Sequence, residues 1–147
     1  MPKYIYTVGF TKRNAEQFFE TLKQSHVAHL LDIRLNNTSQ LTGFTKKTDL
    51  PYFLDTIACI KYHYIPELAP DEAILREYRI SKDWQRYESA YNNLLNSRQP
   101  EKFVPQIWLE EGAVLLCSEY DAQYCHRRLA AEYLSKKYTG DFNVIHL

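Results

Sequence analysis

Glycine occurs only four times in this 147-residue chain, methionine once and cysteine three times, and charge of either sign is missing in net terms, with 18 basic residues against 18 acidic ones. Each scarcity removes a class of protein. Glycine and six prolines are too few for a low-complexity or linker-rich chain, and no internal repeat interrupts the sequence. A zero formal charge lacks the excess basicity of a generic nucleic-acid binder, so any anion binding must be local. No apolar run approaches the roughly 18 residues that cross a membrane, and Met1-Pro2-Lys3-Tyr4 leads straight into a strand-like segment instead of a signal peptide. Three cysteines are an odd number for a secreted disulfide framework; free thiols or ligands in a reducing compartment fit better, which points to the cytoplasm.

What is present is enough apolar residue, 45% of the chain, to build one compact domain over residues 1–147 without disulfide or metal staples. Tyr4 to Val8 is a β-branched and aromatic strand ending at Gly9, and an Asn14-to-Gln17 capping box opens a helix through Ala15, Phe18, Phe19 and Leu22. Ala28 to Ile33 predicts a second strand, Asp49 to Ile60 a helix with Cys59 in its core pattern, and Tyr62 to Ile65 a third strand. A helical region follows from Asp71 to Asn96, whose stripe of Trp84, Tyr87, Tyr91, Leu94 and Leu95 reads as core. Pro105 kinks or restarts a further helix, Ala113 to Cys117 is a nearly continuous apolar strand, Gln123 to Tyr138 a helix, and Phe142 to His146 a last strand. Strands alternating with helices predict an α/β fold, a three-layer α/β/α sandwich around a mostly parallel sheet of about five strands.

In such sheets ligands bind outside the carboxyl ends of the strands. That rule gathers Gly9 and Phe10, Asp32 and Arg34, Glu67, and Cys117 and Glu119 into one predicted cleft. The segment Cys117-Ser118-Glu119-Tyr120-Asp121-Ala122-Gln123-Tyr124-Cys125-His126-Arg127-Arg128 adds two thiols, an imidazole and guanidinium groups. Asp121 is a suitable N-cap, which would set Cys125, His126 and Arg127 in the first helical turns, where free N–H groups favour anions and thiolates. Cys117 and Arg127 are separated by nine residues, none of them glycine, unlike the short cradles of cysteine phosphatases and rhodanese-like domains.

Tyr6-Thr7-Val8-Gly9-Phe10-Thr11, Asp32-Ile33-Arg34, Gly43-Phe44, Tyr64-Ile65-Pro66-Glu67-Leu68 and Cys117-Ser118-Glu119 with Cys125-His126-Arg127 resemble the successive motifs of the DUF488 family. The resemblance implies a cytoplasmic, mostly prokaryotic α/β domain of uncharacterised activity. The chain departs from the pattern at Asn37 and Gln40, where similar sequences often carry proline and a basic residue; Lys46 or Lys47 would then replace that basic contact.

Together these readings make Cys117, Glu119, Cys125 and His126 the candidate catalytic groups, with Cys117 or Cys125 as nucleophile and His126 or Glu119 transferring a proton. Gly9, Phe10, Asp32, Arg34, Ser39, Phe44 and Arg127 are the candidate ligand contacts, for an anionic small molecule or nucleic-acid fragment. Alternatives are a binding module using Lys46, Lys47, Arg127 and Arg128, a redox pair of Cys117 and Cys125, or a metal held by Cys117, Cys125 and His126 with Asp32 or Glu119. Against the metal, adjacent helical residues point about 100° apart, so no metal ligand and no cofactor is assigned. Simpler roles stay open: Cys117 and Cys125 as buried hydrophobes, Asp32 and Arg34 as a surface pair, His126 pairing with Glu119, and Arg128 bonding Glu132. The chemistry is not chosen by spacing, nor is the oligomeric state.

Overall fold

The computed structural model describes residues 3–119 and 121–147, with the side chains of Gln40 and Leu41 outside the description. Met1, Pro2 and Tyr120 are also outside it, so the expectations placed on those residues lie beyond the described chain. Five strands, β1 (Lys3–Gly9), β2 (His29–Asp32), β3 (Lys61–Tyr64), β4 (Ala113–Cys117) and β5 (Phe142–His146), form one sheet. Its order is β3-β2-β4-β1-β5, and every pairing is parallel. β2 and β4 are buried at every position, as apolar runs covered on both faces must be.

The helices are α1 (Ala15–Ser25), α2 (Leu50–Phe53), α3 (Glu72–Ser81), α4 (Trp84–Arg98), α5 (Gln106–Glu111) and α6 (His126–Lys137). Parallel crossovers are right-handed, so connections that step in opposite directions along a sheet lie on opposite faces. Those from β1 to β2 and from β2 to β3 run one way and carry α1 and α2, whose Phe18, Phe19, Leu22 and Leu50 pack on Val8, Leu30, Val114 and Leu116. Those from β3 to β4 and from β4 to β5 run the other way and carry α3 to α6, packed on Ile5, Leu31, Ala113 and Leu115. The three-layer sandwich follows, and with it a consequence for function: the chain leaves the neighbouring strands β2 and β4 toward opposite faces, which opens a crevice at their carboxyl ends.

The Asn14–Gln17 capping box is present. Elsewhere the boundaries move for identifiable reasons. The predicted helix from Asp71 to Asn96 is two helices, because Lys82 takes a left-handed conformation (φ 55°) and the Asp83 carboxylate caps α4 afresh. The helix predicted over Asp49 to Ile60 is α2 continued by a wider π turn, Leu54–Ala58. At its end Cys59 is left-handed (φ 55°) and exposed, correcting its assignment to the core; Ile60 takes the buried place. The last long helix begins at His126, not Gln123. Asp121 is therefore not its N-cap: the Cys125 N–H turns back to the Ala122 carbonyl, and Cys125 itself occupies the cap in an extended conformation (φ −134°, ψ 141°).

At the amino end of β2 the Glu111 carboxylate accepts from His29 Nε2 (2.8 Å), and His29 Nδ1 lies 2.9 Å from His63 Nε2, while His63 stacks on Trp108. Burial first, then the charges of His29 and Lys61, lower His63 from 6.5 to about 4. The unfolded chain binds that proton near pH 6.5 and the folded chain only near 4, so stability declines as pH falls through this window. His146, also lowered by burial, acts with the same sign. His63→Gln is expected to flatten the decline, read as urea midpoints at a series of pH values; an unchanged slope would contradict this.

Candidate active site: a thiol and imidazole cluster in the strand-end cleft

The crevice between the β2 and β4 loops is a cleft of about 350 Å³. Arg34, Leu35 and Asn36 line it from the β2 loop, Cys117 to Glu119 with Tyr124, Cys125 and His126 from the β4 side, and Pro70, Leu75, Tyr78, Arg79, Trp84 and Tyr87 from the α3–α4 layer. Its floor is chemical. Cys117 ends β4, Cys125 caps α6 and His126 starts it, all three buried with their ligating atoms within 4.8 Å of one another.

His126 Nε2 lies 2.8 Å from the Ile33 carbonyl, which only accepts, so the proton sits on Nε2 and Nδ1 faces the sulfurs. Cys117 Sγ is 3.6 Å and Cys125 Sγ 4.0 Å from that Nδ1. Burial pushes the Cys117 thiol up, but the Cys125 hydrogen bond, the charge and hydrogen bond of His126 and the Glu119 backbone N–H hold it well below the usual range. Cys125 moves the opposite way, raised by burial and then by its bond to, and the charge of, Cys117. Burial lowers His126, yet the Cys117 charge and hydrogen bond and the Ile33 carbonyl leave it raised. The arrangement thus favours a charged Cys117–His126 pair with Cys125 as a donor.

Asp32 and Arg34 are not a surface pair. Both are buried: the Asp32 carboxylate accepts from Arg34 Nε (2.8 Å) and Nη2 (2.9 Å), Asn37 Nδ2 (3.1 Å) and the Tyr62 hydroxyl (2.6 Å). Arg34 also donates to the Thr45 hydroxyl and carbonyl, so most of its donors are spent inside the protein although it borders the cleft. Its guanidinium lies over the Phe10 ring. Phe44 packs on Phe18 and Phe19, and the Ser39 carbonyl accepts from Thr42; neither residue lines the cleft. Glu67 is likewise not among its lining residues.

Arg127 is buried beneath the β4 loop, where Nη1 donates to the Glu119 carbonyl at 2.6 Å. Gly9 makes room for that clamp: a Cβ there would coincide with the Glu119 carbonyl and crowd Arg127 Nη1. Gly9→Ala is therefore expected to cost about 1–3 kcal/mol, the usual penalty of overpacking, in a thermal or urea melt. Unaltered stability would mean that the clamp is dispensable. His126 bonds Ile33 and not Glu119, and Arg128 does pair with Glu132.

Sequence reading missed Tyr78, Arg79 and Tyr124 and assigned Trp84 to the core. Trp84 does pack on Tyr87, but it is half-buried and lines the cleft. Arg79 is exposed at the mouth and makes no hydrogen bond or ion pair among the described residues. Nothing in the helical spacing marks it; only the fold of α3 against the β2 loop brings it there.

The structure therefore defines a parallel α/β domain with a strand-end cleft floored by two cysteines and a histidine. A family model, the domain of unknown function DUF488, matches residues 14–134, and the chain belongs to that family. The match includes the cysteine and histidine motif; the Tyr6 to Thr11 motif lies before it. No curated protein and no solved structure matches the chain.

Proposed function

We propose that the protein is a cytoplasmic enzyme whose cleft takes an anionic, nucleotide-like small molecule. The observation that carries this reading is the composition of one cleft: an uncommitted arginine at the mouth, apolar and aromatic walls, and a buried cysteine and histidine floor. Arg79 meets the anionic group. Leu75, Tyr78 and Trp84 receive the apolar or ring portion. Cys117, Cys125 and His126 supply electron-pair donors at the reacting end, and Glu119, exposed beside them, accepts or returns a proton. Arg34 and Arg127 serve by holding the β2 and β4 loops in place.

The binding-module alternative has less support, since Arg127 is buried, Arg128 pairs with Glu132 and Lys47 lies over the Tyr64 ring. No helix among the described residues is long and apolar enough to cross a membrane.

The chain has two tryptophans, so Trp108→Phe leaves Trp84 as the reporter. Titrating that variant with adenosine monophosphate, ribose 5-phosphate and inorganic phosphate is expected to give a saturable change in fluorescence. Arg79→Ala should weaken binding roughly 10- to 100-fold, the worth of one charge-assisted hydrogen bond. No saturable response to any of these anions would sink the reading.

A further inference from the structure

We infer that Cys117 Sγ, Cys125 Sγ and His126 Nδ1 form a mononuclear site for a divalent transition metal, zinc by ligand type, with a fourth position open to the cleft. Three independent features support it.

The first is spacing. Tetrahedral zinc with Zn–S near 2.3 Å and Zn–N near 2.0–2.1 Å requires sulfur-to-nitrogen edges of about 3.5–3.6 Å and a sulfur-to-sulfur edge of about 3.8 Å. The observed sulfur-to-nitrogen separations are 3.6 and 4.0 Å, and no pair of ligating atoms exceeds 4.8 Å.

The second is the outer shell. A metal-binding histidine typically gives its other ring N–H to a carbonyl or carboxylate, which fixes its tautomer and its aim. His126 does so at the Ile33 carbonyl, 2.8 Å away.

The third is backbone conformation. Two adjacent helical residues would diverge, but Cys125 is the extended N-cap of α6 and only His126 is helical, so both side chains turn to one point. The objection raised by sequence spacing disappears with that fact. Cys117, Cys125 and His126 all line the cleft, so three protein ligands leave a coordination position for water or for an oxygen of the ligand, as in catalytic rather than closed structural sites. A metal there would act as a Lewis acid at the reacting end of the cleft. The inference rests on the proposed cleft function only for what it says of that fourth position.

The test is metal analysis of the full-length protein purified without chelator, followed by titration of the chelator-stripped protein with cobalt(II). Close to one equivalent of bound metal and a thiolate-to-cobalt absorption band are expected. Cys59→Ser should retain both, and Cys117→Ser, Cys125→Ser and His126→Ala should each lose the band or weaken binding at least tenfold. Thermal melts of the unsubstituted protein with and without zinc supply a reading that needs no variant: a metal-dependent rise in midpoint is expected. Substoichiometric metal together with no cobalt band and no zinc-dependent midpoint overturns the inference. Nucleotide titration of the same metal-loaded and stripped samples separates the two ideas, since anion binding without metal retains the cleft reading alone, and metal binding without any anion response retains the metal site alone.

Discussion

Asp32→Ala is expected to lose about 3–5 kcal/mol of folding stability, the cost of leaving a buried charge without its partner. Asp32 sits at the carboxyl end of β2, buried, and its carboxylate is the common acceptor for Arg34, Asn37 and Tyr62. Removing it leaves the buried Arg34 guanidinium without a counter-charge, held by its hydrogen bonds to Thr45 and its place over the Phe10 ring. Tyr62→Phe serves as the graded control, since it removes one hydrogen bond to a charged acceptor and should cost roughly 1.5–3 kcal/mol. Urea unfolding of the three proteins checks the order. An Asp32→Ala protein as stable as the parent would mean that this network does not hold the β2 loop, and the wall of the cleft would lose its explanation.

Arg127→Met should cost roughly 2–4 kcal/mol by removing a charge-assisted hydrogen bond and part of a buried side chain's packing. Its effect on ligand should differ in kind from that of Arg79→Ala. Arg127 acts on the Glu119 carbonyl and so on the conformation of the loop between Cys117 and Cys125. Loss of Arg127 is expected to reduce affinity for charged and uncharged probes alike, whereas loss of Arg79 should act on the charged ones. Salt dependence gives the readout: the slope of binding against ionic strength should persist in Arg127→Met and diminish in Arg79→Ala. The opposite pattern would return Arg127 to the anion-holding role that its sequence position suggests.

The sheet was legible because apolar runs at Leu30–Leu31 and Val114–Leu116 are buried on both faces, a pattern that parallel strands impose. Of the residues that the strand-end rule gathered, Arg34, Cys117 and Glu119 line one cleft, where Cys125 and His126 of the following segment join them, whereas Gly9, Phe10, Asp32 and Glu67 are not among its lining residues. What the sequence concealed was decided by single backbone conformations and by tertiary partners. Asp121 has the chemistry of an N-cap, yet a turn closed by Cys125 N–H on the Ala122 carbonyl delays α6 to His126, and this reorients Cys125 toward His126. Arg34 and Arg127 have the charge of anion binders, but Asp32, Thr45 and the Glu119 carbonyl engage their donors. Arg79 and Trp84 carry no motif at all. Their place in the site depends on how α3 and α4 pack beside the β2 loop, information spread over the whole fold rather than written at those positions.

Crystals soaked with a set of phosphorylated metabolites test the central claim most directly. A bound compound is expected in the cleft, its anionic group at Arg79 and its other end against Cys117 and His126. Compounds found only outside the cleft, or a cleft without ligand at saturating concentrations of every member of the set, would contradict it.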